Sequence, residues 1–200
     1  YPVESDGVLV DGVKVGSGGF TKDDDFFIET DPAKAADFEA AKSAFLRERF
    51  GRELLLMYDA HMGNSPSATW DLPTALAVAR ALEEFDLVFF EEPLHYTRPD
   101  CYAELRRSTT TPIAGGECLT AVCEWQTFIE RDCFAIGQPD ASYTAGLSQF
   151  MLVAGMLAQH GVEPITHGVI ERKVAGKYLK LAPGVQPFQL MPRLAHLDAH

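Results

Sequence analysis

The sequence predicts an α/β fold on a parallel sheet, fitted by a (β/α)8 TIM-type barrel that is incomplete and holds about strands 2 to 8. Three observations carry this expectation. Short apolar runs alternate with helical stretches along the chain, which is the pattern of βαβ units. The runs are nearly continuously hydrophobic, as strands covered on both faces must be. Ionisable residues recur at the C-terminal ends of five successive runs, the rim on which barrel active sites are assembled. A doubly wound open sheet is the alternative, but "VKVGSGG" matches a Gly-rich nucleotide loop poorly.

From the N-terminus, "GVKVG" (12–16) reads as a strand. A polar loop, "SGGFTKDDDFFIET", leads to Asp31 and Pro32, an N-cap followed by proline at the first helical position. This helix is expected to run to about Phe50, where Gly51 closes it. "ELLLMYD" (53–59) is the next strand, and "HMGNSPSATW" is rich in turn formers. Asp71 caps a helix whose apolar positions Leu72, Ala75, Leu76, Ala79 and Leu82 share one face. Strands follow at 86–91, 112–117, 134–138 and 162–166, separated by helices at about 100–108, 121–132 and 145–160. A helix at about 170–181 and a weak strand "PFQLM" complete the reading.

The 200 residues are 46% hydrophobic and 23% charged, enough for one sizeable core. The chain is read as a single partial barrel domain over 1–200. A net charge of −12 argues against nucleic-acid partners and against anionic membrane surfaces. No apolar run reaches the roughly 18 residues a membrane helix needs, and no signal peptide is recognisable. Cys101, Cys118, Cys123 and Cys133 form no CxxC pair and read as reduced thiols, so a cytoplasmic protein is expected. The chain starts at Tyr1 rather than Met, and its opening residues read as the interior of something longer.

The strand ends hold the chemistry. Asp59 closes "LLLMYD", Glu91 closes "LVFFE" and Glu117 closes "PIAGGE". Asp140 follows "FAIGQP", and His167 follows "EPIT". One strand-end acid alone is ordinarily a helix cap or a solvated charge. Three that converge without a cation would repel one another, and burying that charge is expensive. Oxygen ligands of this kind suit Mg²⁺, or Mn²⁺ in its place.

In this order "MYDAH", "FFEEP", "AGGE", "GQPD" and "ITHG" resemble the barrel domain of the enolase superfamily, in its mandelate racemase-like subgroup, over roughly residues 12–170. The resemblance implies that Asp59, Glu91 and Glu117 are Mg²⁺ ligands. It implies that Asp140 and His167 form a dyad on neighbouring strands, and that Glu92 is an outer or structural acid. It also implies an N-terminal α+β capping domain, lacking from these residues, and assembly into homo-oligomers. A Lys or His base working beside Mg²⁺ is the general pattern of that superfamily. His167 suits the base or acid role, with an unperturbed pKa near 6.5, and Asp140 would orient its ring.

Departures from the family pattern narrow the reaction. Racemases of the subgroup carry Lys-x-Lys on the second strand. Lys14 matches the second lysine, while Gly12 stands where the first would be. Lys22, in "GFTK", offers a competing alignment, and a surface lysine is the plain reading of either. His61, in "DAH", occupies a position often held by Asn; some acid-sugar dehydratases place a general-acid His there, and a polar loop residue is the alternative. Gln189 stands where a substrate-contacting Glu often ends the eighth strand. The dyad is whole and the two-lysine base is not. The expected function is therefore a hydro-lyase: Mg²⁺-dependent dehydration of a sugar acid, an aldonate or aldarate, to a 2-keto-3-deoxy acid. A racemase or epimerase, a cycloisomerase and a non-catalytic metal-binding barrel remnant are the alternatives.

Overall fold

Local chemistry sets the helix starts. Asp31 accepts the Lys34 N–H at 3.1 Å ahead of helix α1 (Pro32–Phe50), and Gly51 closes that helix with its N–H on Arg47 O at φ +73°. Asp71 does the same for α2 (Leu72–Leu82), accepting the Thr74 N–H at 3.0 Å. The computed structural model describes residues 12–64 and 70–167. The expected helix at 170–181, the strand "PFQLM" and Gln189 lie outside the described residues.

Six parallel strands make the sheet: β1 (Gly12–Gly16), β4 (Leu55–Asp59), β5 (Phe89–Glu91), β6 (Ile113–Gly115), β7 (Ile136–Gly137) and β8 (Glu163–Pro164). They pair in chain order, each with the next. Helices α3 (Pro99–Arg107), α4 (Val122–Glu130) and α5 (Leu147–Gln159) make the later crossovers. A doubly wound sheet reverses its order at a switch point. No reversal occurs here among the described residues, so the singly wound arrangement of a barrel stands and the open-sheet alternative falls.

The strands bury side chains on both faces. Leu56, Tyr58, Phe90 and Ile113 pack with Ala75, Val78, Ala79, Leu82 and Trp125 of the helices in the main core. Phe89, Ala114, Ile136 and Ile165 form a separate cluster, with Met57 against it. Residues two apart on a strand share a face. Asp59 therefore lies on the side of Met57, and Glu91 on the side of Phe89.

Two sequence expectations need correction. The loop at 17–31 contains a small antiparallel hairpin, β2 (Gly19–Phe20) and β3 (Phe26–Phe27), closed by packing of Phe20 on Phe26 and of Phe27 on Phe38. Strands of two residues have no periodicity to read, and the acidic turn between them hid the pairing. The strand expected at 112–117 stops at Gly115, which puts Glu117 in the loop beyond it. Among the described residues no helix is long and apolar enough to cross a membrane.

Candidate active site

Register brings the first acids together. Gly16 pairs with Asp59, and Asp59 pairs with Glu91. Both acids are buried, 1% and 0% exposed. Lys14, beside Met57 in register, reaches them with Nζ 2.7 Å from Asp59 Oδ2 and 2.8 Å from Glu91 Oε2. Burial works to lower the Lys14 pKa, but the charges of Glu91 and Asp59 outweigh it and push it up to about 12. Burial, followed by the charge of Asp59, pushes Glu91 above the usual carboxylate range, with Lys14 pulling against them. Lys22 sits in the exposed hairpin turn, so Lys14 is the lysine of this strand.

His61 opens the next loop in a left-handed conformation, φ +54°. Its N–H donates to Asp59 Oδ1 at 3.0 Å, and its Nε2 lies 3.2 Å from Asp59 Oδ2. The ring is mostly exposed, so it sits on the rim of the cluster.

Glu117 is aimed by Gly116. That glycine has φ +111°, and a Cβ there would come within 2.1 Å of the Trp125 ring, so only glycine allows the turn. Glu117 Oε2 meets His167 Nε2 at 2.8 Å, and His167 Nδ1 meets Asp140 Oδ2 at 2.9 Å. Asp140 is held in turn: its Oδ1 accepts the Ser142 N–H at 2.7 Å and the Ser142 hydroxyl. The His167 N–H donates to Pro139 O at 3.0 Å. The bond to Glu117 raises the His167 pKa to about 9, with help from Asp140 against the opposing effect of burial. Burial works to raise Glu117, yet the bond and charge of His167 hold it below its ordinary value.

Lys14, Asp59, His61, Glu91, Glu117, Asp140 and His167 thus fall in one region toward the C-terminal ends of the strands, whereas Lys22 does not join them. Glu91, Glu117 and His167 each offer a ligand atom within 4.8 Å of the others. Asp59 joins Glu91 through Lys14. The carboxylates of Asp59, Glu91 and Glu117 are oxygen donors that suit a hard divalent cation, and Glu91 Oε1 is buried without a hydrogen-bond partner.

Sequence reasoning missed the supports. Ser17 donates its hydroxyl to Ala60 O at 2.8 Å and its N–H to Asp59 O at 3.0 Å, tying the end of β1 to the acid-bearing strand. Glu39 is fully buried beneath that turn, where its Oε1 accepts the Gly18 N–H at 2.8 Å. Its spacing with Ala35 and Ser43, four residues each way along α1, was the available signal. Glu92 is also buried at the site, 3% exposed, and burial together with Glu117 pushes its carboxyl up to about 7.

The enolase C-terminal domain-like family model matches residues 4–199. The chain is 35% identical over 126 residues to the L-talarate/galactarate dehydratase of Salmonella typhimurium, covering 63% of this chain and 30% of that protein. The solved L-talarate dehydratase of Polaromonas sp. JS666, complexed with Mg and L-glucarate, superposes with a TM-score of 0.68 at 28% identity, over 81% of this chain and 40% of that one. A racemase of Streptomyces coelicolor A3(2) with bound magnesium gives 0.71 at 25% identity, over 88% and 46%. The chain spans less than half the length of each of these relatives.

Proposed function

The chain belongs to the enolase C-terminal domain-like family, and on that premise we propose that it carries the proton-transfer and cation-binding machinery of a sugar-acid dehydratase. The observation that carries this reading is His167, held through Nδ1 by Asp140 at 2.9 Å and turned through Nε2 onto Glu117 at 2.8 Å. Asp140 fixes the ring and stabilises its charged form, which leaves Nε2 as the atom that moves a proton.

Asp59, Glu91 and Glu117 would hold the Mg²⁺, which when bound supplies Lewis-acid stabilisation of negative charge gathering on the substrate carboxylate. His167 Nε2 takes the proton α to that carboxylate, or returns one to the departing 3-hydroxyl. The hydroxyl leaves as water, and the enol that remains becomes a 2-keto-3-deoxy acid. The Lys14 ammonium adds fixed positive charge beside the same carboxylates. His61, on Asp59, is the second ring able to move a proton here.

Dehydration is favoured over racemisation by what β1 presents. Gly12 lies two residues before Lys14, and a Cβ there would come within 2.9 Å of Leu55 O. The strand therefore offers one amine, and elimination needs one base where racemisation needs groups on both faces of the carbon. The similarity to the Salmonella and Polaromonas dehydratases supports the same choice. Likeness to the Streptomyces racemase keeps inversion as the second reading.

The test is a panel of aldonates and aldarates with Mg²⁺ in D₂O, followed by NMR, with His167→Asn alongside. Formation of a 2-keto-3-deoxy product that disappears in the variant is the expected result. Deuterium uptake with inverted configuration and no loss of water would move the assignment to a racemase.

A further inference from the structure

Next to the carboxylates assigned to Mg²⁺ stands a second donor set that the proposed reaction does not use. Glu92 follows Glu91 but leaves the strand in a left-handed conformation, φ +47°. Its backbone is pinned on both sides: its N–H donates to Ala114 O at 3.1 Å, and its carbonyl accepts the Met62 N–H at 3.0 Å. The side chain is buried, and Oε1 accepts no hydrogen bond. Gly63 lies against that oxygen, so close that a Cβ would come within 2.3 Å of it. Ligand atoms of Glu92, Glu117 and Cys118 all lie within 4.8 Å of one another, and Cys118 Sγ is 4.0 Å from Glu117 Oε1.

A buried carboxylate with an unused oxygen is costly unless something fills it. The thiol decides what fits. Carboxylates alone suit Mg²⁺, whereas a thiolate beside them selects a borderline or soft ion, and Zn²⁺ accepts such mixed sulfur and oxygen sets with a fourth position open.

We propose that Glu92, Glu117 and Cys118 form a second cation site, for a thiophilic divalent ion of the Zn²⁺ class, which shares Glu117 with the Asp59–Glu91–Glu117 group. The sharing couples the two sites: an ion on the thiol side draws on the carboxylate that the other group and His167 also use. The site stands on the placement of its own three side chains and does not depend on the dehydratase reading.

Co²⁺ added to the chelator-stripped full chain is the probe, because a cobalt–thiolate bond gives a charge-transfer band in the near ultraviolet. The band is expected in the wild type and in Glu91→Gln, which alters only the neighbouring group. It is expected to vanish in Cys118→Ser, which keeps Cys101, Cys123 and Cys133 as internal controls. Glu92→Gln should weaken Co²⁺ binding by at least about 10-fold, the loss that removing even an outer partner of a ligand causes. Circular dichroism checks that each variant folds. A readout free of variants is alkylation: Zn²⁺ should slow iodoacetamide labelling of Cys118 and leave the exposed Cys123 unaffected. Absence of the band in folded wild type, its persistence in Cys118→Ser, its loss in folded Glu91→Gln, or unprotected Cys118 would each overturn the proposal.

Discussion

Asp71 accepts the Thr74 N–H at 3.0 Å and the Thr74 hydroxyl at 2.8 Å through one oxygen. Those bonds, the backbone one first, hold its carboxyl below the usual value. A group with a depressed folded pKa stabilises above its unfolded value, about 3.9, and loses that contribution as pH falls through the lower folded value. Asp71→Ala should therefore cost about 1 kcal/mol at pH 7 in urea unfolding, with the deficit shrinking toward pH 2. Asp71→Asn, an equally good cap, should match the wild type at pH 7 and lack the pH-dependent part. A deficit that ignores pH would show that the carboxylate is not the cap. Cys133 makes the opposite case. It is fully buried, and burial pushes its thiol up to about 12. Since the thiolate is the nucleophile, peptide mapping after native alkylation should find Cys123 modified and Cys133 intact, with Cys133 reacting only in denaturant. The cap was legible in the sequence because its partner lies three residues away. The burial of Glu39 was not, because Gly18 and Tyr58, which donate to it, lie on other elements.

At the scale of elements, α1 does more than cover the sheet. Glu39 accepts the Gly18 N–H through Oε1, and the Tyr58 hydroxyl and the Lys42 ammonium through Oε2. Lys42 also donates to Gly16 O at 2.9 Å and Gly18 O at 2.8 Å. One helix thus clamps the turn after β1 against β4, the two strands that carry Lys14 and Asp59. Removing one partner of a buried charge pair costs about 3–5 kcal/mol. The Lys42 side chain is 24% exposed and can recover some hydration, so Glu39→Ala should fall near the low end, about 3 kcal/mol. Tyr58→Phe removes one donor and should cost about 1 kcal/mol. Equal urea midpoints for wild type and Glu39→Ala would show that the clamp contributes nothing. The helices themselves were legible because runs of 9 to 19 residues stand out between the short strands, and Asp31 and Asp71 mark the starts of α1 and α2. The hairpin was not, because two-residue strands repeat nothing.

For the whole molecule, the sheet converts sequence order into a site. The six strands pair in parallel and so all point one way, and every C-terminal end reaches the same rim. That is why acids up to 108 residues away from His167 in the chain (167 − 59) could be placed together from the sequence, while the salt links among them could not. Lys14 shows what placement alone leaves out. Its ammonium stands between Asp59 Oδ2 and Glu91 Oε2, neutralising charge that a bound cation would also neutralise. An ion that binds only the native state stabilises it by about 2.7 kcal/mol at 100 times its Kd. For a chain of this size each kcal/mol raises Tm by roughly 2–4 °C. Saturating Mg²⁺ should therefore lift Tm by about 5–10 °C, and Glu117→Gln should lose most of that rise. Lys14→Met, which removes the ammonium and leaves the two buried carboxylates facing each other, should unfold at lower temperature without Mg²⁺ and gain more from it than the wild type. A wild-type Tm indifferent to Mg²⁺ would remove the cation from these acids. A Lys14→Met protein that gains no more than the wild type would mean that lysine and metal neutralise different charges.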